Sequence, residues 1–502
     1  MAFFFCIAQM TSPARPSLRL PAILVFSITS CLTWFLTAHL LSPSIDEGIY
    51  LQGGHRLLQG QIPYVDFFAF TGPIIYWTEA VFEFFFGRNI PFLRLPVAIS
   101  IGMIATGILC LVHRIASLRA GLCAVALWFT ITMDLWNRLE VNHRWLSMAF
   151  YSAAAVCFFS AQHFSRRNAA LAGAFLSLAC WTTQSFVWPL LIITIYLAIQ
   201  ARQYLLPFLT GAMVAGTIPL IVLTVQGALL PMIENMKWVI VNYAEANRVG
   251  YGYYFNEIPL HYLPHILLSV WLPPIVAALG LLLILLRKQQ DLIFPLLFVV
   301  AVFPTALPKW DALQLMFLMG PFLGMAIAMI WKQLPEALLP PAQATLLMPA
   351  VFLLVLILST FGKKMDFDSR AGKLVGDEHS IASVQSIYAA IPEGSTLFAY
   401  PYFTALYPLL HAENPTRYEF LQPGMMTAQD EQQVLADLHR KPPQFIFWFY
   451  FSDSEILKIW PNTNPARLHF KNIEEFILHR YEPEIEILTS NFTGKIWKLK
   501  SP

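Results

Sequence analysis

The chain has 502 residues, 57% of them hydrophobic, 14% aromatic and only 12% charged, with a formal net charge of +2. That is about half the charge of an ordinary soluble protein, which excludes a soluble enzyme, and so small and dispersed a net charge excludes nucleic acid as a partner. Half of the charged residues lie after residue 361. The expected fold is therefore a polytopic α-helical membrane protein, with a transmembrane domain over 1–361 and a soluble α/β domain over 362–502.

A bilayer core of about 30 Å takes roughly 20 helical residues. Leu20 to Leu41, following Arg15 and Arg19, meets that length. Asp46-Glu47 stands where a small-residue cleavage site would be wanted, so the run reads as a retained span rather than a signal peptide. Further apolar runs near 93–112, 121–135, 146–163, 169–183, 185–201, 203–225, 263–286, 291–307, 315–332 and 343–361 bring the expectation to about eleven spans. Gly72 to Gly87 is too short to span and carries Glu79 and Glu83 four apart, so it is read as a helix lying at the interface.

With that helix flat, the short loops holding Arg114, Arg119, Arg166, Arg167, Arg202, Arg287, Lys288 and Lys332 share the cytoplasmic side with Arg15 and Arg19. The long loops 42–92 and 226–262 and the C-terminal domain are then outside an inner (plasma) membrane. Asp46, Glu47, Asp66, Glu79, Glu83, Asp134, Glu140, Glu234, Glu245, Glu257 and Asp311 gather on that outer side, which is where chemistry is expected. The aromatic, Asn-rich stretch in 226–262 argues against disorder. In the tail, 396–400 and 445–450 read as strands, 428–439 and 472–480 as helices, and 484–488 with 495–499 as strands closing a sheet. No glycine-rich phosphate loop occurs there, and no catalysis is assigned to it. The six cysteines all precede residue 181 without ligand spacing and read as packing residues.

Asp46-Glu47 at the exit of the first span admits two compatible readings. Acids favour the first turn of a helix, here 47–59. A carboxylate at the edge of a low dielectric is also a better proton acceptor, which suits a general base. His55, His143, His261 and His265 show no metal-ligand spacing. No cofactor is required, and a divalent metal has no support.

The first span, the Asp46-Glu47 pair, Gly60-x-x-Pro63-Tyr64-x-Asp66-Phe67, Gly72-Pro73-x-x-Tyr76-Trp77, Phe86-Gly87-Arg88 and Arg94-Leu95-Pro96 together resemble membrane glycosyltransferases of the GT-C fold. The nearest group is the bacterial branch related to dolichyl-phosphate-mannose protein mannosyltransferases and to the lipopolysaccharide-modifying sugar and aminoarabinose transferases. The resemblance covers about residues 20–200 in motifs and the remainder in layout. It implies a polyprenyl-phosphate-linked sugar as donor, drawn from among the membrane lipids, and a glycan, lipid or protein hydroxyl as acceptor. It implies Asp46 as general base with Glu47 beside it, and Asp66 orienting donor or acceptor. Gln184 falls where relatives carry Lys-Gln, with Thr183 in place of the lysine. The loop 136–145 lacks the Asp-Pro of many relatives, with Glu140 or His143 as substitutes. Arg138, Arg144, Lys237, Arg248 and Lys309 are the outward bases able to meet a phosphate. The other readings are a transporter or flippase, against which the absence of internal repeats weighs, and a non-catalytic cell-envelope assembly protein.

Overall fold

The computed structural model describes residues 18–41, 45–134, 139–160, 164–253, 263–307, 309–340, isolated positions between 343 and 355, 364–450, 452–488 and 493–501. Ten of the eleven apolar runs coincide with helices; the run 343–361 lies almost wholly outside the described residues. Four helices are long and apolar enough to cross a membrane: Arg19–Thr37 (α1), Ile90–Ile115, Arg202–Val225 and His265–Arg287.

Side-chain placement on α1 is inverted relative to a soluble helix. Its buried stripe is Ala22, Val25, Thr29, Thr33, Leu36 and Thr37, while Leu20, Leu24, Ile28 and Phe35 point outward. Small and hydroxylated residues at helix contacts with large apolar ones outside are what a lipid solvent selects. Thr29, Thr33 and Thr37 satisfy their hydroxyls on the carbonyls of Val25, Thr29 and Thr33 at 2.6–2.7 Å, so none of the three is left bare. Small residues also set the approach of Arg166–Thr182 to Arg202–Val225: a Cβ at Gly173 would overlap the Phe208 carbonyl, and one at Gly211 that of Ala170. These faces make the chain an integral membrane protein.

After α1 the chain turns into Ile45–Leu58 (α2) and Ile74–Phe86 (α3). The two acids of α3 share the face turned into the protein. Glu79 and Glu83 are buried, whereas Val81, Phe84 and Phe85 are exposed. The helix turns its apolar face outward and its carboxylates toward the protein, as an interfacial helix does. Burial raises the Glu79 carboxyl well above the usual range, and Glu47 and Glu83 add to the shift.

The loop 226–262 is less open than its length suggests. Leu229–Trp238 is helical, Val239–Tyr243 forms a π-turn, and Val249–Tyr253 (β1) pairs in parallel with Lys309–Asp311 (β2). Residues 364–501 carry the antiparallel hairpin Met365–Ser369 (β3) and Gly372–Gly376 (β4). They also carry a four-stranded sheet of Leu397–Tyr400 (β5), Phe445–Tyr450 (β6), Thr493–Leu499 (β8) and Tyr481–Leu488 (β7), in that spatial order. The hairpin and the helix Glu378–Ala390 are elements the sequence pattern did not announce.

The tail is sewn onto the first outer loop by backbone hydrogen bonds: Val375 N–H to the His39 carbonyl (2.6 Å), Ile90 N–H to that of Ala371 (2.9 Å) and Phe68 N–H to that of Arg417 (2.8 Å). Gly48, on α2, is where the two backbones touch, since a Cβ there would overlap the Thr404 carbonyl carbon. Gly48→Ala is expected to displace the tail, read as faster limited proteolysis after residue 362, with the membrane helices still inserted.

Candidate active site

Asp46 and Glu47 sit in the first turn of α2, yet one residue apart they face different worlds. Asp46 is exposed and lines a cavity of about 180 Å³. Glu47 is buried and does not line it. Arg94 grips Glu47 with two parallel bonds, Nε to Oε1 at 2.7 Å and Nη2 to Oε2 at 2.6 Å. Its remaining nitrogen, Nη1, donates to the Ala38 and Leu40 carbonyls at the end of α1 (2.9 and 2.6 Å). Glu47 Oε1 also accepts from the Val141 amide at 3.2 Å. Arg94 thus ties the exit of α1, the start of α2 and the segment before the helix His143–Phe159 into one node, and the expectation of Glu47 as a second catalytic carboxylate gives way to a positioning role.

Four segments close the cavity. From 140–144 come Glu140, Asn142, His143 and Arg144; from the second outer loop, Tyr243 and Asn247; from β2 and the turn after it, Lys309, Asp311 and Gln314; from the tail, Tyr402, Gln422 and Trp460. Two cations, Arg144 and Lys309, therefore share a small space with the carboxylates of Asp46, Glu140 and Asp311. Lys309 Nζ stands 3.4 Å from Asp311 and over the Trp460 ring at 5.8 Å. Arg144 lies over Phe317 at 6.0 Å. Tyr243 registers this charge distribution. Burial pushes its hydroxyl up to about 12, Arg144 acts to lower it, and Asp46 and Asp311 raise it, so all three charges are within electrostatic reach of one phenol.

The other expected residues divide. His143 lines the cavity, its Nδ1 2.7 Å from the Thr183 hydroxyl, so Thr183 orients a histidine where relatives carry a lysine. Lys309 lines the cavity. Asp66 does not: its Oδ2 accepts from the Ile62 amide at 2.7 Å, closing the turn in which buried Tyr64 takes φ 70°. The Pro-Tyr-x-Asp-Phe motif is thus a strained loop held by its own aspartate, and Asp66 does not reach the cavity that Asp46 lines. Gln184 is exposed, and its Nε2 donates to the Phe70 carbonyl at 3.0 Å, supporting the wall rather than lining it. Arg248 is exposed and absent from the lining, its carbonyl accepting from Asn462. Arg138 and His261 lie outside the described residues. Among the described residues no group of three or more His, Cys, Asp or Glu side chains is placed to hold a metal ion. Sequence reasoning missed Gln314, Tyr243, Asn247 and the whole contribution of the tail. Only the acidic segregation to one face hinted at Asp311.

Beside the cavity, a polar seam joins α2 and α3 to the tail. His55 Nδ1 is 2.6 Å from Glu83 and Nε2 3.3 Å from Glu413, and Arg56 Nε is 2.7 Å from buried Glu419. Burial works against a charged His55, but hydrogen bonds to Glu413 and Glu83 outweigh it and hold the imidazolium above the usual range. The hydrogen bond from His55 holds Glu413 down to about 2. A raised histidine stabilises below its unfolded value of 6.5 and loses that contribution as pH rises through the folded value. A depressed carboxylate stabilises above 4.5 and loses it as pH falls toward about 2. The seam is thus strongest between those limits. His55→Gln is expected to lower the thermal midpoint at about pH 6 and to leave it closer to wild type at about pH 9, as differential scanning fluorimetry would read.

No protein-family model and no curated protein sequence matches the chain. Solved structures do. ArnT from Cupriavidus metallidurans in the apo state superposes with a TM-score of 0.59 at 13% identity, over 96% of this chain and 98% of that one. The same protein bound to undecaprenyl phosphate gives 0.56 at 12% identity, over 95% and 97%. The Archaeoglobus fulgidus oligosaccharyltransferase in its apo form gives 0.50 at 10% identity, over 85% of this chain and 69% of that one. A match over 96% of this chain and 98% of ArnT bears out the resemblance read from the first outer loop: the chain has the GT-C fold.

Proposed function

We propose that the chain is an inverting glycosyltransferase that moves a sugar from a polyprenyl-phosphate carrier to an acceptor hydroxyl outside the inner membrane, with Asp46 as general base. The observation that carries the reading is one exposed aspartate sharing a small cavity with Arg144 and Lys309. The undecaprenyl phosphate held by a protein of the same fold supports the donor class. The division of labour is 1–361 for the membrane-embedded reaction, with 42–92 and 226–262 as its outer loops, and 362–502 as a soluble domain over them.

Asp46 takes the proton of the acceptor hydroxyl as its oxygen attacks the anomeric carbon. The bond from that carbon to the phosphate oxygen breaks, its electron pair stays on the lipid phosphate, and the configuration inverts. Arg144 and Lys309 receive the growing phosphate charge in a small site that they share with Asp46, Glu140 and Asp311. Glu47 and Arg94 fix the helix that carries the base.

The test is transfer of radiolabelled sugar from lipid carrier in membranes containing the protein, with the lipids that copurify identified by mass spectrometry. Recovery of a polyprenyl phosphate or its glycoside is expected. Copurification of bulk phospholipid alone, with no transfer to any endogenous acceptor, would overturn the reading.

A further inference from the structure

Three polar side chains meet around the cavity: Asp311 Oδ2 faces Lys309 at 3.4 Å, Gln422 hydrogen-bonds the Tyr402 hydroxyl, and Gln314 Oε1 has no hydrogen-bond partner among the described residues. All three residues line it. Asp311 is 1% exposed and Gln422 6%, so a ligand in the cavity meets them with little competing water. Asp311 uses its other oxygen to accept from the Gln314 amide at 2.7 Å, capping the short helix Ala312–Met316. Oδ2 therefore stays turned to the ion pair with Lys309. Gln422 comes from the tail and sits beside the Tyr402 hydroxyl. Trp460, half-buried and also from the tail, presents its ring to Lys309.

Two acceptors and one donor, offered from opposite walls next to an indole, are complementary to a ring with several hydroxyls and an apolar face. At about 180 Å³ the cavity is smaller than the roughly 300 Å³ or more of a drug-sized site, so it suits one small polar group and not an extended glycan. We propose that Asp311 and Gln314 on the membrane side and Gln422 and Trp460 on the tail select which monosaccharide the carrier may bring, the tail thereby serving as the specificity element of the reaction. This rests on the glycosyltransferase reading and deepens it: Arg144 and Lys309 hold the phosphate common to all donors, and these four residues read the sugar. A site built to pair substrate hydroxyls rejects analogues that lack or misplace them, because its own polar atoms then stay bare.

The experiment uses the full chain in lipid nanodiscs. Binding is measured for undecaprenyl phosphate and for a panel of undecaprenyl-phosphate-linked glucose, galactose, mannose and aminoarabinose, with kcat/KM for each transferable donor. Wild type is expected to bind at least one sugar-bearing lipid about tenfold or more above the bare lipid. Gln422→Leu should remove most of that advantage while leaving bare undecaprenyl phosphate within about twofold, and should alter the ranking of kcat/KM among sugars. Gln314→Leu is a second variant should Gln422→Leu unfold, and Trp460→Leu, outside the packed sheet, is a third. If the wild type transfers sugar but the variants keep its ranking, or lose bare and sugar-bearing lipid equally, the selection proposal falls and the glycosyltransferase reading stands. If the wild type binds no polyprenyl phosphate at all, both fall.

Discussion

Asp46→Asn is expected to lower transfer by about 10²–10⁴-fold, the range that a positioned general base contributes. The substitution keeps the size and hydrogen-bonding reach of the side chain and removes only its ability to hold a proton. Because Asp46 is exposed, its loss costs the fold little, at most the roughly 0.3–1 kcal/mol of a charge in the first turn of a helix. Stability and insertion should therefore match wild type, and donor binding should change little, so that the loss falls on kcat. Assaying purified variant with lipid-linked sugar checks this. Activity within twofold of wild type would reduce Asp46 to a first-turn acid and take the proposed mechanism with it.

Arg94→Met is the substitution expected to cost the most stability. It leaves the Glu47 carboxylate, 3% exposed, without its counter-ion, and removing one partner of a buried pair costs about 3–5 kcal/mol. It also strips the Ala38 and Leu40 carbonyls at the end of α1 of their donor. The expected result is a marked drop in thermal midpoint and in the amount recovered from membranes. Glu47→Met combined with Arg94→Met should regain part of the loss, since an apolar pair is often no worse than an ion pair in a buried site. The carbonyls remain unserved, so recovery should be incomplete, and α2 should lose the register that aims Asp46. A stable double variant with full activity would show that the node does not position the base.

The uneven legibility of this chain has physical causes. The helices were readable because lipid imposes a long apolar run on every crossing segment, and that run survives whatever the helices pack against. The strands at 397–400 and 445–450 were readable from their β-branched and aromatic residues, whereas the hairpin of β3 and β4 was not. Met365-Asp366-Phe367-Asp368 buries only Phe367 against Tyr388 and alternates too briefly to stand out. Glu79 and Glu83 show the limit of periodicity: their spacing gave one shared face correctly, but only the surrounding helices decide that this face is the inner one.

At the candidate site, local pattern reached Asp46, Glu140, His143, Arg144, Lys309 and Asp311 as outward groups and no further. It could not separate Asp46 from Glu47, because the difference lies in Arg94, which is 47 residues away in the chain. Nor could it place Asp66 and Gln184 outside the cavity lining, since both are engaged by carbonyls and amides that composition does not display.

What the sequence alone determined is the solvent of each segment: composition and run length decide whether a stretch lies in lipid or water, because transfer free energies add residue by residue along the chain. The motifs of the first outer loop added the fold by resemblance. What only the tertiary structure decided is which polar groups meet. Hydrogen bonds and ion pairs act over a few ångströms between segments hundreds of residues apart, so the joining of Asp46 to Asp311, Gln422 and Trp460 in one cavity exists nowhere in the linear order.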